Sequence, residues 1–317
     1  MNGRRERMGG DGQGTAEVGA LMRSEDGGQG EKQAGDGTLL FASYNVHKCV
    51  GLDRKFDPER VRRVIAEIDP DVIALQEADK RFGDRLGLLD LAALERETGL
   101  EAIPLTRRRR LGHGWHGNLL LVKHGAVRDV RQLDLPGLEP RGAVVADLDL
   151  RHGTVRVMAA HLGLLRHSRL AQVRAILAAL PHEHDEPTVL LGDMNEWRKD
   201  HRSALGSLAP GFGPTGNFVP SFPAVFPVFA LDRILARPHS LIESVEAHVS
   251  TLSRVASDHL PVKARIRLDV AAEVHDRMHA EAVAAQKKSR RPLAFPPRLR
   301  LRPAARLISR RLRAGRS

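Results

Sequence analysis

The 317-residue chain carries enough apolar sequence, 42% of its residues, to bury a sizeable core. No apolar run approaches the roughly 18 residues that a membrane-spanning helix needs. The first 37 residues contain no hydrophobic stretch typical of a secretory signal peptide. A single cysteine, Cys49, excludes an internal disulfide and suits a reducing compartment. We therefore expect a cytoplasmic protein.

The net charge of +11 is unevenly distributed. Residues 287–317 hold twelve basic and no acidic side chains, whereas residues 1–37 hold five basic and seven acidic ones. Subtracting +12 and −2 from +11 leaves only +1 for residues 38–286. The basic character therefore belongs to the C-terminal tail, and the body is not charged like a general nucleic-acid-gripping protein.

The chain begins with a Gly-rich segment at 1–37 that we expect to be disordered. The predicted strands and helices follow it. An apolar run predicts a strand at 38–44, and Asp57-Pro58 then begins a helix that ends near residue 68. A second short strand covers 71–77. Further strands are predicted at 117–123, 127–134, 143–150, 154–161, 188–192, 230–236 and 257–268. Further helices are predicted at 88–98 and at 168–180, the latter capped by Ser168.

Many short strands with few helices between them indicate two packed sheets with helices outside. The pattern changes after Leu268, where the sequence becomes Ala-rich and then Arg-rich. The folded, catalytic body is therefore expected at 38–269. We expect a basic tail at 270–317 that is partly helical or disordered.

Polar side chains stand at the ends of successive apolar runs. One such residue is more often a satisfied turn or cap than a catalytic group, but eight of them indicate a site. The eight are Asn45, Glu77, His161, Asp193, Asn195, Asp232, Asp258 and His259.

The types of these residues suit phosphate-ester hydrolysis. Glu77, Asp258 and the amide oxygen of Asn45 are hard oxygen donors of the kind that Mg²⁺ or Mn²⁺ prefers. Histidine and asparagine can donate hydrogen bonds to phosphate oxygens as charge builds on them. An aspartate beside a histidine fixes the imidazole tautomer and raises its pKa. The sequence contains no zinc-spaced Cys/His cluster, GxxxxGK[ST] loop or GxSxG elbow.

Seven segments occur in an order that resembles the endonuclease/exonuclease/phosphatase superfamily. They are Ser43-Tyr44-Asn45-Val46, Leu75-Gln76-Glu77, Gly117-Asn118-Leu119-Leu120, Ala160-His161-Leu162-Gly163, Gly192-Asp193-Met194-Asn195, Leu231-Asp232-Arg233-Ile234 and Ser257-Asp258-His259-Leu260-Pro261-Val262. The resemblance implies an α/β (α+β) fold, the DNase I-like four-layered α/β/β/α sandwich. It also implies hydrolysis of phosphate esters with Mg²⁺ or Mn²⁺.

A closer resemblance is to a small bacterial subgroup of unassigned substrate, often encoded beside cardiolipin synthases. It is carried by His161-Leu162-Gly163-Leu164, Arg169-Leu170-Ala171-Gln172, Asn195-Glu196-Trp197-Arg198 and Ser221-Phe222-Pro223 through Phe226-Pro227.

The superfamily resemblance also implies a role for each matching residue. Glu77 would be the main metal ligand, with Asn45 and Asp258 close to that metal or to a second one. Asp193 would position and deprotonate the attacking water, and Asn195 would hold the scissile phosphate.

His259, oriented by Asp232, would bind or protonate the phosphoryl group, while His161 would contact it from the other side. Which of Asp193 and His259 acts as the base stays open.

Three further residues are predicted to bind substrate: Arg110, His116 and Asn118. The run from Arg107 to Arg110 leads directly into a motif segment, which favours phosphate contact over a solvated basic loop. His47 and Lys48 follow Asn45 closely. This position is equally compatible with a place in the lining of the pocket and with a place outside it. The acidic and His-rich stretch 181–186 is expected to be a surface turn.

The substrate and the tail have competing interpretations. The near-neutral body favours a phospholipid-related or small phosphate ester, and a DNA nuclease that uses the basic tail is the alternative. The tail itself could contact an anionic membrane at the inner face, bind nucleic acid, or stay solvated without a function. A non-catalytic binding module is a third hypothesis. Nothing in the sequence indicates an obligate protein partner.

Overall fold

A computed structural model describes residues 37–80, 85–105, 112–180, 186–214 and 218–269. The predicted disordered segment at 1–36, the tail at 270–317, Arg107 to Arg110, and residues 181–185 all lie outside this range. In the part that is described, no helix is long and apolar enough to cross a bilayer.

Within the described ranges, eleven strands form two sheets. The strands are β1 (Thr38–Asn45), β2 (Val72–Gln76), β3 (Leu100–Ala102), β4 (Leu119–Lys123), β5 (Ala126–Leu135), β6 (Arg141–Leu150), β7 (Gly153–His161), β8 (Thr188–Asp193), β9 (Asp232–Arg237), β10 (Ile242–Ala247) and β11 (Val262–Arg267). The α-helices are α1 (Pro58–Ile68), α2 (Leu91–Thr98), α3 (Arg166–Ala178), α4 (Ala209–Phe212) and α5 (Ser253–Ala256).

The strands are arranged in a six-stranded sheet of order β10-β11-β1-β2-β4-β3 and a five-stranded sheet of order β5-β6-β7-β8-β9. One apolar core lies between them and includes Phe41 from the first sheet and Val157 from the second. Two outer cores pack α1 and α2 against the first sheet, and α3 and α4 against the second. The predicted four-layered α/β/β/α sandwich is therefore confirmed.

Parallel pairing brings the carboxyl ends of the central strands to one edge of the sandwich. β1 pairs in parallel with β2, and β7 pairs in parallel with β8. The register places Asn45 opposite Gln76, and Asp193 opposite both His161 and Asp232. The polar residues that follow these apolar strands consequently gather at this edge, which we call the site edge.

Two details of the sequence prediction are wrong. Helix α3 begins at Arg166, and Ser168 is buried inside its first turn rather than acting as its cap. The entry to the helix is instead fixed by Gln172, whose Oε1 accepts the backbone N–H of Gly163 at 2.8 Å. The last strand begins at Val262 and not at residue 257, because the preceding motif forms part of a loop.

Gly192 is required by close packing at the end of β8. Its φ is +147°, and an added Cβ would lie 1.8 Å from the carbonyl oxygen of Ala160. We expect Gly192→Ala to lower the free energy of unfolding by more than about 2 kcal/mol in denaturant titrations. Gly206→Ala is the matched control, because a Cβ there meets nothing within 4 Å. Equal stability of the two variants would contradict this account.

Candidate active site

Asp193, only 1% exposed at the end of β8, is the centre of a buried polar cluster. Its Oδ2 accepts a hydrogen bond from Nδ2 of Asn45 at 2.9 Å and lies 3.3 Å from Nε2 of His161. Its Oδ1 accepts the backbone N–H of Asn195 at 2.8 Å. Because Asn45 ends a strand of the six-stranded sheet, whereas His161 and Asp193 end strands of the five-stranded one, this carboxylate joins the two sheets.

His259 lies between two carboxylates. Its Nδ1 is 2.8 Å from Oδ2 of Asp232, and its Nε2 is 3.9 Å from Oδ2 of Asp193. Ser221 donates its hydroxyl to the same Asp232 oxygen at 2.5 Å and so holds that carboxylate in place. Burial alone would lower the pKa of His259, but the charges of Asp232, Asp193 and Asp258 outweigh it and raise the pKa to about 10. The ring is therefore a hydrogen-bond donor at neutral pH.

His161 is oriented by an arginine that the sequence analysis missed. Nη1 of Arg141 lies 2.9 Å from Nδ1 of His161, and its Nη2 donates to Glu139 at 2.8 Å. A guanidinium can only donate, so Nδ1 accepts, and the proton of the ring lies on Nε2. That proton faces Asp193.

Glu77 lines a cleft that His161 of this cluster also lines. The carboxylate is paired with the ammonium of Lys48 at 2.5 Å. Burial alone would raise the pKa of Glu77, but the hydrogen bond and charge of Lys48 outweigh it and lower the pKa. The side chains and backbone that line the cleft come from Lys48, Glu77, Asp79, Arg85, His116, Gly117, Pro140, Arg141 and His161. Lys48 therefore lines the pocket, and so does the predicted substrate residue His116.

The remaining predicted residues lie around this centre. Asp258 is partly exposed, with Oδ1 3.7 Å from Nδ1 of His47. Asn118 is fully buried and donates its amide to the carbonyl oxygens of Trp115 and Gly142, so it supports the wall of the cleft. Arg110 lies outside the described residues.

The turn that carries Asn195 is held by a buried glutamate. Asn195 has a φ of +49°, and its Nδ2 donates to the carbonyl oxygen of Leu162 at 2.9 Å. The next residue, Glu196, accepts the backbone N–H groups of Arg198 and Ala204 at 3.0 and 2.8 Å. Glu196 thus fixes the backbone of this turn without reaching the cleft.

Asp193, Asp232 and His259 also form a group in the described chain that could hold a metal ion. Their ligand atoms lie within 4.8 Å of one another, and all three residues are buried. This acidic and histidine cluster is compatible with metal binding. The hard oxygen donor Glu77, in the cleft that His161 also lines, offers a second location.

A family model described as "Endonuclease/Exonuclease/phosphatase family" matches residues 42–259. This range covers the second half of β1, all strands from β2 to β10 and all of the hydrogen-bonded cluster, and it ends before β11. The chain therefore belongs to the endonuclease/exonuclease/phosphatase family, and it is a hydrolase that acts on phosphate esters. No curated protein matched the chain by sequence.

Solved structures share the fold. An endonuclease/exonuclease/phosphatase from Beutenbergia cavernae DSM 12333 is 22% identical, with a TM-score of 0.54 over 73% of this chain and 72% of that one. A mannosyl-6-phosphatase from Bacteroides thetaiotaomicron VPI-5482 is 15% identical, with a TM-score of 0.54 over 71% and 98%. D. rerio TDP2, complexed with a single-strand DNA product, is 16% identical, with a TM-score of 0.53 over 73% and 99%. At these identities the likeness extends to the fold alone.

The pKa of His259 provides a test of its pairing with Asp232. In Asp232→Asn the largest opposing charge is lost, so burial should pull the pKa of His259 down from about 10. Titration of the His259 imidazole by NMR measures this change. Asp129→Asn, which removes an exposed carboxylate from β5, is the charge-matched control and should leave this pKa unchanged.

The same pairing predicts how stability depends on pH. The folded pKa lies above the ordinary value of 6.5, so the protonated ring stabilises the fold fully below that pH. The contribution is lost as pH rises through about 10, and Asp232→Asn should weaken this dependence. Parallel curves of unfolding free energy against pH for the two proteins would contradict the pairing.

Proposed function

We propose that this protein is a divalent-metal-dependent phosphoesterase that hydrolyses a phosphodiester or phosphomonoester by in-line attack of water. The observation that carries the proposal is the buried carboxylate of Asp193, which faces His161 and His259, together with a cleft that both His161 and Glu77 line. An acceptor, two donors and a carboxylate suited to a metal are the groups that this reaction requires.

The donor set fits Mg²⁺ or Mn²⁺. Glu77 is a mostly buried carboxylate whose charge is balanced here by the Lys48 ammonium, so its surroundings accommodate a cation. We assign Glu77 as the main ligand, with Asn45 and Asp258 as further oxygen donors. The amide oxygen of Asn45 accepts the backbone N–H of His47 at 3.0 Å and keeps a second lone pair. When bound, the ion would neutralise phosphate charge and favour attack at phosphorus.

Each residue of the cluster has a role that its hydrogen bonds support. Asp193, which can only accept, orients the attacking water and takes its proton. His259, held by Asp232, donates to the phosphoryl group or to the leaving oxygen. His161 contacts the phosphate from the other side, with Arg141 fixing the tautomer of its ring.

Asn195 completes the set by holding the scissile phosphate beside Asp193. The tight turn that carries it, fixed by Glu196, sets where the amide can reach.

For the substrate we favour a phospholipid-related or small phosphate ester over DNA, because the body at 38–286 has a net charge of only +1. The closer resemblance to the bacterial subgroup found beside cardiolipin synthases agrees with this choice and is itself a proposal. We place the protein in the cytoplasm, where the basic tail could hold it at the inner membrane face.

Asp193→Asn and His259→Ala should each lower kcat by about three decades or more, since both groups act in the transition state. The assay measures hydrolysis by the full chain, with Mg²⁺ or Mn²⁺, of a soluble diester, a monoester, plasmid DNA, abasic DNA and phospholipid vesicles. Asp149→Asn, an exposed carboxylate on β6, is the matched control and should retain full activity.

The same panel separates the hypotheses. Salt-sensitive cleavage of DNA alone would favour the nuclease. A folded chain that hydrolyses none of the esters with either metal would favour a binding module.

Removal of metal should abolish hydrolysis, and added Mn²⁺ should restore it. Glu77→Gln should weaken Mn²⁺ binding by about one decade or more, because a neutral amide replaces the main charged ligand. Calorimetric titration with Mn²⁺ in the absence of substrate measures this directly. Glu101→Gln, an exposed carboxylate on β3, should bind Mn²⁺ as the wild type does. Unchanged affinity in Glu77→Gln would place the metal elsewhere.

A further inference from the structure

Exposed large apolar side chains are concentrated at one end of the sandwich. In the part of the chain that the structure describes, every exposed Leu, Val, Phe or Trp side chain lies at the site edge, all of them in loops except Val255, which lies in the short helix α5. The loops at the opposite edge carry none within the same ranges. Scattered apolar side chains on a surface are ordinary, but their restriction to the end that holds the catalytic cluster indicates an interaction surface.

The densest part of this surface is the loop 222–229. Phe222 and Phe229 close it with two backbone hydrogen bonds of 3.0 and 2.8 Å. Between them Val225 is 62% exposed, Phe226 75% and Val228 49%. Side chains exposed to this degree protrude from the surface, and the hydrogen-bonded base holds them in a fixed direction.

This loop is directly connected to the catalytic cluster. The ring of Phe222 packs 4.9 Å from the imidazole of His259, measured between ring centroids. The backbone N–H of Ala224 donates to the carbonyl oxygen of Asp258 at 2.7 Å. Any partner that covers the tip of the loop is therefore held beside the active site.

Cationic side chains flank the apolar surface. The guanidinium of Arg254 donates to the carbonyl oxygen of Val225 at 3.0 Å, so its charge is tethered to the tip of the loop. Trp197, half exposed, meets Phe229 edge to face at 6.2 Å and carries the guanidinium of Arg198 4.8 Å above its ring. Protruding apolar groups bordered by cations match the layering of an anionic bilayer, with acyl chains inside and phosphates at the surface.

We propose that the loop 222–229, together with Trp197, docks this protein on an anionic lipid bilayer. The active site then receives a phosphate ester presented at the membrane surface. This statement about the substrate rests on the proposed function, whereas the docking does not.

Aliphatic side chains such as Val225 and Val228 have no flat face on which a nucleobase could stack, so a single-strand platform fits this surface less well.

The test is flotation of the full chain with phosphatidylcholine vesicles that contain phosphatidylglycerol. The buffer contains roughly 0.5 M NaCl, which screens the attraction of the basic tail. The double variant Val225→Ser/Phe226→Ser should partition at least about tenfold more weakly than the wild type. Val225→Leu/Phe226→Leu is the matched control: it keeps the apolar character at the same positions and should float like the wild type.

The contribution of the Arg254 charge, next to the loop, is tested separately with its own control variant. Arg254→Gln should weaken flotation about fivefold at low salt, since a basic group near an anionic surface contributes a factor of that order. Arg265→Gln removes the same charge from an exposed position on β11 and should have no effect.

Equal flotation of wild type and the serine variant would overturn the proposal and assign the binding to the tail. If instead the leucine variant also loses binding, and single-stranded DNA binding falls with it, the loop is a base-stacking surface. A dimer that forms in the absence of vesicles and is lost in the serine variant would assign the surface to a second copy of the chain.

A soluble phosphodiester separates this proposal from the proposed function. The serine variant should hydrolyse it at the wild-type rate, because neither substituted side chain belongs to the catalytic cluster. Flotation without any hydrolysis would leave the docking intact and remove the enzyme assignment. Hydrolysis without flotation would leave the enzyme assignment intact and remove the docking.

Discussion

The carboxylate of Asp193 is the constraint on which the site depends. It is buried among donors that come from both sheets: Asn45 from one, and His161 and the Asn195 backbone from the other. A buried carboxylate without such partners would be strongly destabilising, so the two sheets must meet in the register that supplies them. The apolar core between the sheets and the catalytic geometry therefore require the same packing.

Charge in the cleft is arranged in opposed pairs. Glu77 is balanced by Lys48, and Asp232 by His259, while Arg141 lies against Glu139. For Glu77, the pairing with Lys48 outweighs the desolvation that alone would raise the pKa of this carboxylate. Outside the cleft, the loops carry protruding apolar side chains. One end of the sandwich thus combines a polar interior with an apolar rim.

Sequence patterns predicted both sheets and most strands, because strands buried on both faces appear as continuous apolar runs. They missed β3, which has only three residues, and β10, an edge strand whose half-exposed pattern resembles a loop. Polar residues at strand ends identified the Asp193 cluster. Arg141 escaped notice because an arginine that begins a strand usually indicates a solvated charge, and only the fold brings it to His161, 20 residues later. Asn118, which the motif predicted as a substrate-binding residue, has a structural role, because its side-chain amide donates hydrogen bonds to two backbone carbonyl oxygens.

The first and last strands of the body pair with each other, with Ser43 opposite Val262. Asn45 ends the first of these strands, and His259 lies three residues before the start of the last. During synthesis on the ribosome, the six-stranded sheet cannot be completed until β11 has left the exit tunnel. Hairpins of earlier strands can already form before that point. A nascent chain therefore lacks the strand that follows His259 until late in synthesis, and a truncated product without β11 would leave both β1 and β10 without the partner strand between them.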